Sequence, residues 1–105
     1  MLMKNINVTQ GIKVGGYDVK VNMSEDAHNL LLGEERYGSY SSRNNIIRID
    51  YSESPQQVSQ TFIHEMVEAV NSIYCDYKID HEKICQLSYG IHQVMESLGV
   101  RFGGE

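Results

Sequence analysis

Residues 54 to 74 read Ser54-Pro55-Gln56-Gln57-Val58-Ser59-Gln60-Thr61-Phe62-Ile63-His64-Glu65-Met66-Val67-Glu68-Ala69-Val70-Asn71-Ser72-Ile73-Tyr74. Ser54 is a good N-cap, Pro55 suits the first helical position, and Gln57 completes an S-x-x-Q capping box, which predicts a helix from Pro55 to about Tyr74. Val58, Phe62, Ile63, Met66, Val67, Val70 and Ile73 gather on one face of that helix, the face for a core. Thr61, His64, Glu65 and Glu68 fall outside the stripe. His64 and Glu68, four residues apart, project from one side a turn apart, and Glu65 reaches the same polar strip. An imidazole, a carboxylate one turn on and a second carboxylate beside it offer two metal ligands and a general base. The bland alternative is a solvated helix face, where Glu is common and a His-Glu pair arises by chance.

Upstream, Asn45 to Tyr51 reads as a strand, with Ile47, Ile49 and Tyr51 facing one way and Ile46, Arg48 and Asp50 the other. Residues 1–23 read as β, with Gly15-Gly16 as a two-residue hairpin turn before Tyr17, Val19, Val21 and Met23. Tyr37 to Tyr40 suits a brief strand. Ser24, followed by Glu25 and Asp26, opens either a short helix ending near Gly33 or a loop.

Downstream, Asp80 caps a second helix from His81 to about Leu98, with Gly99 as its stop. Its expected apolar face is Ile84, Leu87, Ile91, Val94, Met95 and Leu98. The connection from Cys75 to Ile79 is short, so the two helices should pair antiparallel and return His81 toward the first helix. Val100 to Glu105 reads as a frayed tail. The expected architecture is α+β: a small antiparallel sheet of three or four strands followed by an antiparallel helix pair.

The chain has 105 residues, enough for one domain, and is 41% hydrophobic with 22% charged residues, a globular composition. Nine basic residues against 14 acidic ones give a net charge of -5 without any basic cluster, which argues against nucleic-acid binding. No apolar run suits a membrane span and no signal-peptide pattern opens the chain, so a cytoplasmic protein is expected. Two cysteines, Cys75 and Cys85, are too few for a disulfide scaffold.

A strand at Asn45–Tyr51, a helix carrying T-F-I-H-E-M-V-E-A-V-N and a second amphipathic helix together resemble the zincin metallopeptidases. More narrowly, they resemble small phage- and prophage-encoded zincin-like proteins. The resemblance covers roughly residues 37 to 98. Larger members carry H-E-x-x-H; this chain has H-E-x-x-E, with Glu68 where the second His belongs. Two His and one carboxylate remain a known catalytic zinc set. The resemblance implies a zinc or other divalent-metal hydrolase acting on a peptide or protein, with His64, Glu68 and His81 as metal ligands. Glu65 would be the general base acting on metal-bound water. Glu82, Cys85 and His92 are the alternatives for the third ligand. Tyr77, Tyr89 and His92 are candidates for stabilising an oxyanion, and residues 37–43 for an edge strand that pairs with substrate. Rival readings are an inactive zincin-like module and a metal-free accessory protein.

Overall fold

The computed structural model describes residues 2–105. In chain order the elements are β1 (Lys4–Asn7), β2 (Ile12–Val14), β3 (Tyr17–Asn22), α1 (Glu25–Gly33), β4 (Gly38–Ser41), β5 (Ile46–Ile49), α2 (Pro55–Tyr74), α3 (His81–Ser97) and β6 (Val100–Gly103). The class is α+β, and α2 begins and ends where its caps place it. The Ser54 side chain accepts the Gln57 N–H, and Pro55 occupies the first turn. Ser24 caps α1 in the same way through Ala27.

The sheet is mixed, not antiparallel. Four strands run in the order β2-β3-β5-β4. β2 and β3 form the expected hairpin, turning at Gly15 and Gly16 with φ of 59° and 84°, the left-handed values a tight hairpin needs. β4 and β5 are also antiparallel, but β3 pairs with β5 in parallel. The connection between those two contains α1 and β4, long enough to cross over and return in the same direction. β1 leaves this sheet altogether. It pairs in parallel with β6, Lys4 opposite Val100 and Asn7 opposite Gly103, so the expected frayed tail is a strand. Phe102 fixes it to α2: its N–H donates to Ser59 Oγ at 3.0 Å and its ring packs 5.2 Å from that of Phe62.

α2 is the axis of the molecule, in contact with β2, β4, β5, β6 and α3. The core joins Val19, Val21, Ile47 and Ile49 from the sheet to Phe62, Ile63 and Val67 of α2 and Ile84 of α3. α3 meets the core with half of the face expected of it. Ile84 is buried and Ile91 and Met95 pack against the core, whereas Leu87, Val94 and Leu98 are exposed and Ser88 and His92 are buried instead. Ser88, its hydroxyl donating to the Ile84 carbonyl at 2.6 Å, is small enough to let the α3 backbone come closer than a leucine would. Among the described residues, no helix is long and apolar enough to cross a membrane.

Candidate metal centre

Asn71, buried near the end of α2, sets where α3 begins. Its side-chain amide donates to the Ile79 carbonyl at 2.9 Å, and its Oδ1 accepts the Ile79 N–H at 3.1 Å. Its own carbonyl accepts the N–H groups of Cys75 and Tyr77. The chain turns sharply here, with Asp76 and Tyr77 both at positive φ. Two residues after Ile79, His81 opens α3 beside His64. Their ring centroids lie 5.5 Å apart, edge to face.

Cys85, one turn along α3, brings its Sγ within 3.5 Å of His81 Nε2. Donor atoms of His64, His81 and Cys85 all lie within 4.8 Å of one another. Glu68, Glu82 and His92 are not in that group. Zinc–nitrogen bonds near 2.05 Å and a zinc–sulfur bond near 2.3 Å separate tetrahedral ligands by about 3.3–3.8 Å. The His81–Cys85 pair already has that spacing, and closing the group needs at most about 1.5 Å more. Two imidazoles and a thiol therefore fit a tetrahedral cation with one position left open.

Of the sequence candidates, His64, Glu65, His81 and Tyr89 line one cleft of about 360 Å3, with Gln57 and Arg36 at its edge. Tyr77 lies elsewhere, its hydroxyl accepting from Ser72 at 2.8 Å. His92 is 8% exposed, 3.3 Å from Glu96, whose carboxylate also accepts from Arg101. His28, which the sequence left without a partner, meets the buried Asp50 at 2.7 Å and ties α1 to the end of β5. Burial raises the Asp50 carboxyl, but hydrogen bonds from Ser52 and His28 outweigh it and hold the group below its ordinary value.

Thr61 and Glu65 are buried although they fall outside the expected apolar stripe of α2, and Gly38 is the reason. A Cβ built on Gly38 would collide with Thr61 Cγ2 and stand 3.3 Å from Glu65 Cγ, so the bare backbone of β4 can close over this side of the helix. The effect on charge is large. Burial, reinforced by the Glu68 carboxylate and opposed by Arg36, pushes the Glu65 carboxyl up to about 7. Burial also lowers His64; Glu68 opposes it, and the positive charges of His81 and Arg36 add to it. An imidazole held neutral is the form that can ligate a metal.

Asn71 and Gly38 were not singled out in the sequence. An asparagine in the last turns of a helix, where its side chain competes for backbone groups, was the available signal for the first. The need for glycine at residue 38 arises only from packing against α2. A larger cavity, about 790 Å3 between Met3, Met23, Val58 and Phe102, lies apart from all of these residues. It holds none of His64, Glu65, His81 and Cys85, so chemistry is assigned to the smaller cleft. Comparison with protein-family models, with curated proteins and with solved structures found no match.

Proposed function

We propose that this protein is a minimal zincin-like metal-dependent hydrolase of peptide or protein amide bonds. The observation that carries the reading is the grouping of His64, His81 and Cys85 from two helices, the two imidazoles lining a cleft that also holds a buried, near-neutral carboxyl, Glu65. His64 and His81 are the shared members of any donor set here. Cys85 completes it as the side chains stand, and Glu68, one turn from His64, is the rival third donor. Zinc suits two imidazoles and a thiolate, and when bound it supplies Lewis acidity and lowers the pKa of water. Glu65 takes up a proton from the attacking water and returns it to the leaving amine; a carboxyl poised near neutrality can do both. The Tyr89 hydroxyl is the donor available to a developing oxyanion. β4 is the outer strand of its sheet, and its edge offers backbone groups to an extended substrate.

A metal-binding module without hydrolysis is the second reading. The small volume of the cleft favours it, because 360 Å3 is near the lower end of ligand sites and holds little of a polypeptide. Elemental analysis of protein purified without chelator should find close to stoichiometric zinc. The Glu65→Gln variant should keep that zinc and lose hydrolysis of a peptide library. Zinc without hydrolysis in the wild type would select the module; protein free of metal even after zinc is supplied would end both readings.

A further inference from the structure

Among the described residues, Arg36 is the only lysine or arginine lining the cleft that holds His64, Glu65 and His81. Backbone hydrogen bonds on both sides put it there. α1 ends in a Schellman turn, in which the Glu35 N–H donates to the Leu32 carbonyl and the Arg36 N–H to the Leu31 carbonyl at 2.9 Å. Glu35 stands at φ 55°, a backbone that suits glycine better than glutamate, so the turn holds some strain to send the chain this way. The Tyr37 carbonyl accepts the Asp50 N–H at 2.9 Å, which fastens the next residue to the end of β5.

Among the described residues the Arg36 guanidinium enters no salt bridge, although Glu34 and Glu35 directly precede it. Its charge reaches the site nonetheless: it opposes the rise of the Glu65 carboxyl and adds to the lowering of His64. A guanidinium without a partner, fixed through its backbone beside these groups, is a receptor for a planar anion.

We propose that Arg36 is the carboxylate subsite of this cleft, and that the substrate is a short peptide whose C-terminal carboxylate lies one residue beyond the amide to be broken. This rests on the hydrolase reading above and gives it a substrate class. A compact volume of 360 Å3 is roughly 7 Å on a side, about two residue spans at ~3.5 Å each. One terminal residue fits between Glu65 and Arg36 in such a space. A chain that continued past the site does not, which favours a C-terminal carboxylate over an acidic side chain within a longer polypeptide. Tyr37, exposed and lining the same cleft, offers its ring to the side chain of that last residue. In the reaction the hydroxyl of water joins the carbonyl carbon and the C–N bond breaks. The remaining proton of that water passes by way of Glu65 to the departing amine. The products are a peptide shorter by one residue and a single amino acid, with no change of oxidation state.

Titrating the isotope-labelled full chain, in chelator, with N-acetylglycylphenylalanine and with its C-terminal amide tests the subsite without relying on hydrolysis. The amide resonances of Thr61, His64 and Tyr89 report binding. The acid should bind about tenfold more tightly than the amide. Arg36→Gln, at an exposed position, should keep the circular dichroism of wild type and bind both probes equally. Arg36→Lys, which restores the charge without the planar fork, should recover part of the preference. Equal binding of the two probes by wild type, no detectable binding of either, or a preference that survives Arg36→Gln overturns the proposal. So does N-acetylglycylaspartic acid α-amide binding as tightly as the free acid, which would assign Arg36 to an acidic side chain instead. The same probes with zinc added separate this inference from the reading beneath it. A preference for the acid with no phenylalanine released leaves the subsite standing and ends the hydrolase. Cleavage of acid and amide alike keeps the hydrolase and overturns the subsite.

Discussion

Glu65 is 5% exposed, and its carboxyl titrates near 7, not at the ordinary 4.5. In metal-free protein this has a definite sign. Between pH 4.5 and about 7 the folded chain holds a proton that the unfolded chain has released, so stability falls as pH rises through that window. Below it the penalty is absent; above it the penalty is complete, at most about 3 kcal/mol from ~1.4 kcal/mol per pH unit of displacement. Asp50 is displaced the other way and loses its contribution only as pH falls below 3.8, outside the window. Replacing Glu65 with Gln keeps the shape and removes the charge. Denaturant titrations of chelated protein should find Glu65→Gln more stable than wild type by roughly 1–3 kcal/mol at pH 8 and nearly equal to it at pH 4.5. Parallel pH profiles for the two proteins would show that Glu65 is hydrated after all. The burial itself depends on Gly38. A methyl group there must push against Thr61, which is β-branched and buried, and against the Arg48 carbonyl 3.1 Å away, so neither neighbour gives easily. Gly38→Ala should cost about 1–3 kcal/mol in the same titration.

Between elements, the decisive joint is the turn from α2 to α3, and one side chain makes it. Asn71 satisfies both the N–H and the carbonyl of Ile79, two residues before His81. Asn71→Ala strands both groups at a partly buried site, which should cost roughly 2–3 kcal/mol. His81 would then lose its fixed start, and zinc affinity measured by competition with a chromogenic chelator should fall about tenfold. Unchanged affinity in a destabilised variant would mean that the metal, not the turn, positions His81. Much of the fold was legible where the signal is local. Ser54, Pro55 and Gln57 mark the start of α2, Gly15-Gly16 makes the hairpin, and Asp80 caps α3. Pairing between distant segments was not. β6 finds its partner in β1, from Val100 back to Lys4, and no nearby residue announces it. β3 pairs with β5 in parallel because α1 and β4 intervene, a matter of topology that alternation along a strand does not encode. The α3 face was half legible: Ile84, Ile91 and Met95 meet the core as their spacing predicts, whereas Leu87, Val94 and Leu98 share that spacing and stay exposed. Within the candidate site, His64 and Glu65 were readable at helical spacing, His81 from the short return to α3, and Cys85 as one alternative for the third ligand; which of Cys85 and Glu68 stands with the two imidazoles depends on rotamers that sequence does not specify.

Over the whole molecule, the proposed ligands divide between two helices, so metal binding and the docking of α3 on α2 are one equilibrium. An unfolded chain has no such arrangement, and binding to the folded state alone adds about 2.7 kcal/mol at a zinc concentration a hundred times the dissociation constant. For a domain of about this size each kcal/mol moves the melting temperature by roughly 4–8 °C, so saturating zinc should raise it by about 10–20 °C. His64→Ala and His81→Ala, which remove the donors common to every arrangement of the site, should each abolish that rise. Persistence of the rise in both would place the metal elsewhere. The third donor is then read by comparing Cys85→Ser with Glu68→Gln. With the side chains as they stand, Cys85→Ser removes most of the zinc-induced rise, because a hydroxyl is a far poorer ligand than a thiolate, and Glu68→Gln leaves it nearly intact. The reverse pattern would mean that the Glu68 carboxylate swings toward His64 on binding and that Cys85 stands aside. In that case the site has the two-imidazole, one-carboxylate composition expected from the H-E-x-x-E spacing, and its cation is held chiefly by α2, with α3 contributing His81 alone.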